Sequence, residues 1–363
     1  MLRKNYAVGS MPWEAFSQLE YDKKTDFFNC GDKPYHTLIA QQFSRHRLDT
    51  LCDLATKIRR IAKSKPGMQS LQDLCCHKRA MLYFSQPSSR TFLSFYSACE
   101  ILGLQPAEVR DSSTSSEMKG ESLEDSVRTF SSYFDLIIMR TPLQGLAEKM
   151  AWLLSNTDRP VPIINAGSGR DQHPTQALLD IYTLQRSFER SNGVEGKQVM
   201  FVGDLKRGRT VRSLACLLTK YRNCTQHFVA PDELQIDRDI LDQLDAAGAA
   251  YRVSDDFEAT LPQADAVYMT RIQDEWDKQR YEAAACDISK YHFTARHLDL
   301  LKPTGIIMHP LPRRNDIAVE VDSDPRAMYW RQVRNGMWIR VALIATTFGV
   351  DEAISRYYAL NLD

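Results

Sequence analysis

The sequence predicts an α/β protein made of two doubly wound parallel-sheet domains joined by long helices. Three observations carry that expectation. Short apolar runs without alternation, such as Leu136-Ile137-Ile138-Met139 and Gln198-Val199-Met200-Phe201-Val202, read as strands buried on both faces. Segments of helical periodicity follow them, the order that builds parallel sheets covered on both faces. The polar segment 187–197 separates two such series, and 363 residues are enough for two cores of ordinary size.

The elements follow in order. Residues 1–36 form an extension in which Trp13, Phe16, Phe27 and Phe28 supply some order. Residues 37–64 carry a helical period through Leu38, Phe43, Leu48, Leu51, Leu54, Ile58 and Ile61. Pro66 and Gly67 mark a linker before the strand 80–84. A helix then opens at Ser88, with Phe92, Phe95, Tyr96 and Cys99 on its apolar face. Helices are expected at 121–134 and 145–156, strands at 136–139 and 161–165, and a long helix from Pro174 to Arg190. The second series has strands at 198–202, 226–230, 264–270 and 305–308, helices at 210–220 and 236–246, and a closing amphipathic helix at 336–358. We expect domains at 37–175 (with 330–363 returning to it) and 176–329.

Composition limits the function. Lys plus Arg equals Asp plus Glu, at 46 each, so no global field draws nucleic acid or a membrane surface. Any preference for anions must come from locally placed arginines. No apolar run approaches the roughly 18–20 residues that span a bilayer, and the first 35 residues lack the apolar stretch of a signal peptide and the acid-poor composition of a transit peptide. The eight cysteines are Cys30, Cys52, Cys75, Cys76, Cys99, Cys216, Cys224 and Cys286, with no C-x-x-C pair. That scatter suits reduced thiols in the cytoplasm better than a disulfide frame or a zinc site.

The polar residues that stand out lie just past strand ends, where open parallel sheets bind ligands. Ser88-Ser89-Arg90-Thr91 brings three hydroxyls and a guanidinium to a helix start, where unpaired N–H groups favour an anion, most naturally phosphate; Ser and Thr also cap helices without any ligand. Arg140 ends one strand. His173 and Gln176 share a face at another helix start, and the dipole there favours a neutral imidazole that can donate to a carbonyl oxygen. Arg209, and Arg271 with Gln273, give two cationic sites suited to a small dicarboxylate, or else ordinary surface charge. Asp111–Gly120 reads as a solvated loop; its Ser116-x-x-Lys119 lacks the companion motifs of serine acyl enzymes. Asn165-Ala166-Gly167-Ser168-Gly169 lacks the third glycine of a dinucleotide loop, since position 172 is Gln.

Taken in order from about His36 to the C-terminus, these segments resemble the aspartate/ornithine transcarbamylase family, and within it the aspartate branch. They are Ser88-Ser89-Arg90-Thr91, Ser115-x-x-x-Lys119-Gly120-Glu121, Met139-Arg140, His173-Pro174-Thr175-Gln176-Ala177-Leu178-Leu179-Asp180, Gly203-Asp204-Leu205-Lys206-x-Gly208-Arg209-Thr210, Arg271-x-Gln273 and His309-Pro310-Leu311-Pro312-Arg313. His-Pro-Leu-Pro, Lys119 and Arg271-x-Gln273 select aspartate over ornithine. The resemblance implies carbamoyl transfer from carbamoyl phosphate to L-aspartate, a step of pyrimidine biosynthesis, without cofactor or metal. It makes 37–175 the carbamoyl-phosphate domain and 176–329 the aspartate domain.

By the same resemblance, Ser88, Ser89, Arg90, Thr91 and Arg140 hold the phosphate. Thr91, Arg90 and His173 donate to the carbonyl oxygen, while Gln176 and the turn Pro310-Leu311-Pro312 receive the carbamoyl NH2. Arg209, Arg271 and Gln273, with Lys119 and Arg140, hold aspartate. Ser115 and Lys119 come from a neighbouring subunit, which implies a homotrimer with shared active sites; a regulatory chain or a dihydroorotase is a possible further partner. Gln86 and Trp276 stand where the family usually has an acid and an arginine that tie the domains together on closure. Both charges are absent together, so neither leaves an unpaired partner. Transfer to another amino acid such as ornithine, or a catalytically silent ligand-binding paralogue, are the other readings.

Overall fold

The computed structural model describes residues 11–31, 33–110, 120–169, 172–271 and 288–362. Contacts divide the chain into two units, Met1–Leu178 with Gly336–Asp363, and Leu179–Asn335.

The N-terminal segment is built into the first unit. It forms α1 (Trp13–Ser17), α2 (Tyr21–Phe28) and a short antiparallel hairpin of β1 (Asn29–Cys30) and β2 (Lys33–Pro34). Phe16 and Phe28, each 1% exposed, enter a core with Met150, Ala151 and Val161. Lys24 pairs with Glu148 at 2.9 Å. The helical period read over 37–64 is realised only as α3 (Arg45–Ile61), where the Ser44 hydroxyl accepts the Arg47 N–H. Ahead of it the chain is extended or tightly turned: Thr37 bridges Ile164, and the Gln42 side chain accepts the Leu38 N–H and donates to the His36 carbonyl. Leu38 and Phe43 are buried for that reason and not as a helix face.

The expected linker at Pro66-Gly67 is instead α4 (Lys65–Gln72). Pro66 sits in the first turn, where no N–H is needed, and Ser64 caps the Gly67 N–H at 3.1 Å. A Cβ on Gly67 would lie 2.0 Å from the Ile61 carbonyl oxygen, so only glycine allows this turn. Then come β3 (Arg79–Phe84), α5 (Ser89–Ile101), β4 (Gln105–Val109), α6 (Leu123–Tyr133), β5 (Leu136–Thr141), α7 (Leu146–Ser155), β6 (Ile163–Ser168) and α8 (Pro174–Ser187). The four strands β3 to β6 are all parallel, in the order β4-β3-β5-β6. The connection leaving β3 runs to β4 on one side and that leaving β5 runs to β6 on the other, so the topological switch lies between β3 and β5.

The second unit holds β7 (Gln198–Val202), α9 (Arg209–Leu218), β8 (Thr225–Val229), α10 (Arg238–Ala246), β9 (Ala250–Ser254), β10 (Ala266–Met269) and β11 (Ile306–Met308). The order β11-β10-β7-β8-β9 is parallel throughout and puts the switch between β7 and β10. The fold class is therefore the one expected: two parallel-sheet α/β units with long helices. The closing helix runs Tyr329–Phe348 and stops at Gly349, which has φ +71. Gly349 donates to the Thr346 carbonyl and Val350 to that of Ala345, a Schellman cap, and a separate helix, Asp351–Asn361, follows.

Candidate active site

In the first unit, the switch between β3 and β5 gathers the anion-binding residues. The Ser85 hydroxyl and the Gln86 N–H both donate to the Arg140 carbonyl at 3.3 Å, which ties the carboxyl ends of the two strands together. Pro87 then turns the chain into α5. The Ser88 carbonyl accepts the Phe92 N–H, yet the Ser88 side chain makes no capping hydrogen bond. Its hydroxyl is not used as an ordinary helix cap. Ser89 and Arg90 are exposed and Thr91 is buried. The first turn of a 13-residue helix thus presents its N–H groups and hydroxyls together.

Arg140, the penultimate residue of β5, has its side chain inside: the residue is 9% exposed, and Nη1 donates to the Ala166 carbonyl at 3.1 Å. The same Nη1 lies 3.4 Å from Nε2 of His173, which is 4% exposed. A guanidinium has only donors, so in this geometry Nε2 is the acceptor and the imidazole is neutral, with its proton on Nδ1. The His173 carbonyl accepts the N–H groups of Gln176 and Ala177, which puts His173 at the start of α8, with Gln176 buried one turn on. The Asn165–Gly169 run is mostly strand β6. Asn165 donates to the Leu38 carbonyl and to the Ser168 hydroxyl and accepts the Gly167 N–H, so its polar atoms serve the strand end.

In the second unit the switch between β7 and β10 is held tightly. Thr270 donates to the Val202 carbonyl through both its N–H and its hydroxyl, at 2.8 and 2.9 Å. Gly203, with φ +112, has no room for a Cβ, which would stand 2.4 Å from the Thr270 carbonyl oxygen. Beyond the clamp, the buried Asp204 accepts the Arg207 N–H, and Gly208 passes close to the Asp204 carbonyl. That turn makes Arg209 the first residue of α9. Arg271 leaves the neighbouring strand β10, and both arginines are half-buried.

The turn Pro310-Leu311-Pro312 follows β11. Leu311 has φ +53, and its N–H donates to His309 Nδ1 at 2.7 Å. The His309 N–H donates to Gln332 Oε1 at 2.9 Å, and Nε2 lies 2.5 Å from Asp316 Oδ2. Burial pushes the Asp316 carboxyl up, but the His309 Nε2–H beside it and the Arg314 N–H outweigh it and hold the group below the usual carboxylate range. Sequence reasoning missed Asp316, Gln332 and Asp180. The signal for Asp180 was a lone acid inside the apolar run Ala177-Leu178-Leu179-Asp180-Ile181; Gln332 carried none. Ser115, Lys119, Gln273 and Trp276 lie outside the described residues. Among the described residues, no cluster of His, Cys, Asp or Glu forms a metal site.

Comparison with known proteins finds one family along most of the chain. The family model for the aspartate/ornithine carbamoyltransferase carbamoyl-P binding domain matches residues 35–186, and that for the Asp/Orn binding domain matches 195–347. The chloroplastic aspartate carbamoyltransferase of Arabidopsis thaliana is 40% identical over 305 residues, 84% of this chain and 75% of that protein. The aspartate carbamoyltransferase catalytic subunit of Vibrio cholerae is 39% identical over 312 residues, 85% of this chain and 95% of its own. The Trypanosoma cruzi aspartate transcarbamoylase, solved with carbamoyl phosphate and aspartate, superposes with a TM-score of 0.76 at 35% identity, covering 86% of this chain and 96% of that one.

Proposed function

The chain belongs to the aspartate/ornithine carbamoyltransferase family, and from that premise we propose that it transfers the carbamoyl group of carbamoyl phosphate to L-aspartate. The products are N-carbamoyl-L-aspartate and phosphate. The observation that carries this reading is the chemistry at the switch point of each unit. One ends in hydroxyls, helix N–H groups and Arg140; the other ends in Arg209 and Arg271.

Ser88, the Ser89 N–H, Arg90, Thr91 and Arg140 hold the phosphate. Arg209 and Arg271, with Gln273, take the two carboxylates of aspartate, and Lys119 adds charge. The aspartate amine attacks the carbamoyl carbon and an oxyanion builds on the former carbonyl oxygen. Thr91, Arg90 and His173 donate to it; a preorganised donor of this kind typically contributes about 3–4 kcal/mol. Gln176 and the Pro310 and Leu311 carbonyls receive the carbamoyl NH2 and fix its orientation. The C–N bond forms, the C–O bond to phosphate breaks, and the leaving phosphate takes the amine proton. Two anions must be held close against their repulsion, which accounts for the number of arginines.

Incubating the purified chain with carbamoyl phosphate and either aspartate or ornithine tests this. Carbamoyl-aspartate should form, and faster use of ornithine would reject the reading. Ser115 and Lys119 complete the site of a neighbouring subunit in a homotrimer. Mixing inactive His173→Ala with inactive Lys119→Ala chains should restore part of the activity; none after confirmed subunit exchange would refute sharing. We place the enzyme in the cytoplasm: Cys52, Cys75, Cys76, Cys99, Cys216 and Cys224 are thiols outside any disulfide, as suits a reducing compartment.

A further inference from the structure

We propose that His309 is the positioning residue of the carbonyl-bearing turn, held as the Nε2–H tautomer by Asp316 and braced from behind through Gln332 and Asp180. The inference rests on the reading that the Pro310 and Leu311 carbonyls meet the carbamoyl NH2. It concerns how those carbonyls come to be presented.

Leu311 adopts φ +53, a left-handed conformation that a branched L-residue rarely takes and that persists only where its surroundings impose it. The imposing contact is the Leu311 N–H donating to His309 Nδ1 at 2.7 Å. An amide N–H can only donate, so Nδ1 carries a lone pair and the ring proton is on Nε2. That nitrogen lies 2.5 Å from Asp316 Oδ2, a close charge contact outside aligned hydrogen-bond geometry, and the carboxylate beside it favours the proton on Nε2. His309 is 1% exposed and Asp316 8%, so water does not compete for either group.

The backbone of His309 is fixed independently. Its N–H donates to Gln332 Oε1, and Gln332 Nε2 donates to Asp180 Oδ1 at 2.7 Å. The other oxygen of Asp180 accepts the Tyr268 hydroxyl at 2.8 Å. Asp180, Gln332 and Tyr268 are buried, so the Gln332 amide has one orientation, nitrogen towards the carboxylate and oxygen towards His309. Both N–H groups of the turn, those of His309 and Leu311, are thereby spent on the protein. Among the described residues neither the Pro310 nor the Leu311 carbonyl accepts a hydrogen bond, and both residues are half-buried. Donors point back into the unit and acceptors are left for an incoming NH2.

Two near-isosteric replacements separate the nitrogens of the ring. His309→Asn keeps an oxygen where Nδ1 stood and can still accept the Leu311 N–H; His309→Gln reaches the position of Nε2 and keeps the contact to Asp316 without the turn acceptor. We expect H309N to retain most of its kcat and H309Q to lose about a hundredfold in kcat/KM for carbamoyl phosphate, the size of loss that follows a misplaced reacting group. The KM for aspartate should stay near wild type in both. Equal losses in the two variants, or a better H309Q, would overturn the proposal. In parallel, imidazole 15N shifts of the wild-type chain, assigned against H309N, should show a pyridine-like Nδ1 and a pyrrole-like Nε2; the reverse would also overturn it. Because that readout needs no turnover, a wild-type chain that makes no carbamoyl-aspartate would defeat the functional reading alone.

Discussion

Replacing Arg140 by lysine keeps a positive charge at the end of β5 and removes the planar fork. The guanidinium is nine-tenths buried, and its Nη1 is already engaged with the Ala166 carbonyl at 3.1 Å and the His173 ring at 3.4 Å. In the proposed mechanism, the remaining N–H groups reach the phosphate. A guanidinium can do both because its donors are fixed in one plane; an ammonium on a flexible stem must leave one partner. The loss is therefore about one hydrogen bond to a charged group, ~1.5–3 kcal/mol, or about 10- to 150-fold in kcat/KM. Initial rates of carbamoyl-aspartate formation at varied carbamoyl phosphate measure it, with Arg140→Ala as the variant that also removes the charge and falls further. If Arg140→Lys stays within about threefold of wild type, a point charge suffices and the argument from the fork is wrong.

Phe16→Ala should destabilise the chain by about 3–5 kcal/mol, because a ring buried in the core of the first unit leaves a cavity; urea unfolding with unchanged stability would mean that this core does not extend into the N-terminal segment. Asp316→Asn should change the pH dependence of stability. The folded carboxyl lies below its unfolded value of about 3.9, so the wild-type advantage is fully present above that value and is lost as pH falls through the lower, folded one. Urea titrations of both proteins between about pH 3 and pH 7 should converge towards the acid end; a gap that widens there would refute the assignment.

What the sequence made legible depended on where each element is buried. Strands β3, β5, β7, β10 and β11 are covered on both faces and read as short apolar runs. β4 and β9 were missed, since each is an outermost strand of its sheet with several exposed or half-buried positions, and β4 contains Pro106. Pro66-Gly67 was misread because both residues usually break a helix, whereas here proline sits at the first turn and glycine avoids the Ile61 carbonyl. The apolar period of the closing helix is visible only from Gly336, seven residues past its start, because its first turns carry exposed Trp330, Arg331 and Arg334 instead of an apolar face. Such errors move element boundaries and leave strand ends where they were, which is why Arg140, Arg209 and Arg271 still stand next to the strand ends that topology singles out.

The turn after β11 shows the other kind of information. Ser88–Thr91, Arg140, Arg209 and Arg271 stand at strand ends flanking switch points, where parallel topology by itself brings neighbouring carboxyl ends together. β11 is at the edge of its sheet, away from the switch, so topology does not aim Pro310 and Leu311 at anything. Their aim comes from side chains far away in sequence: Gln332 reaches His309 across 23 residues and Asp180 across 152. No local period or spacing encodes such a bond, and an isolated buried acid or amide is its only trace. Residues placed by topology should therefore tolerate changes in their surroundings that keep the strands paired. Those placed by a hydrogen-bonded chain should fail when a link that takes up one of the turn's own N–H groups loses its acceptor, because the buried donor left behind must find a new bond or remain unsatisfied.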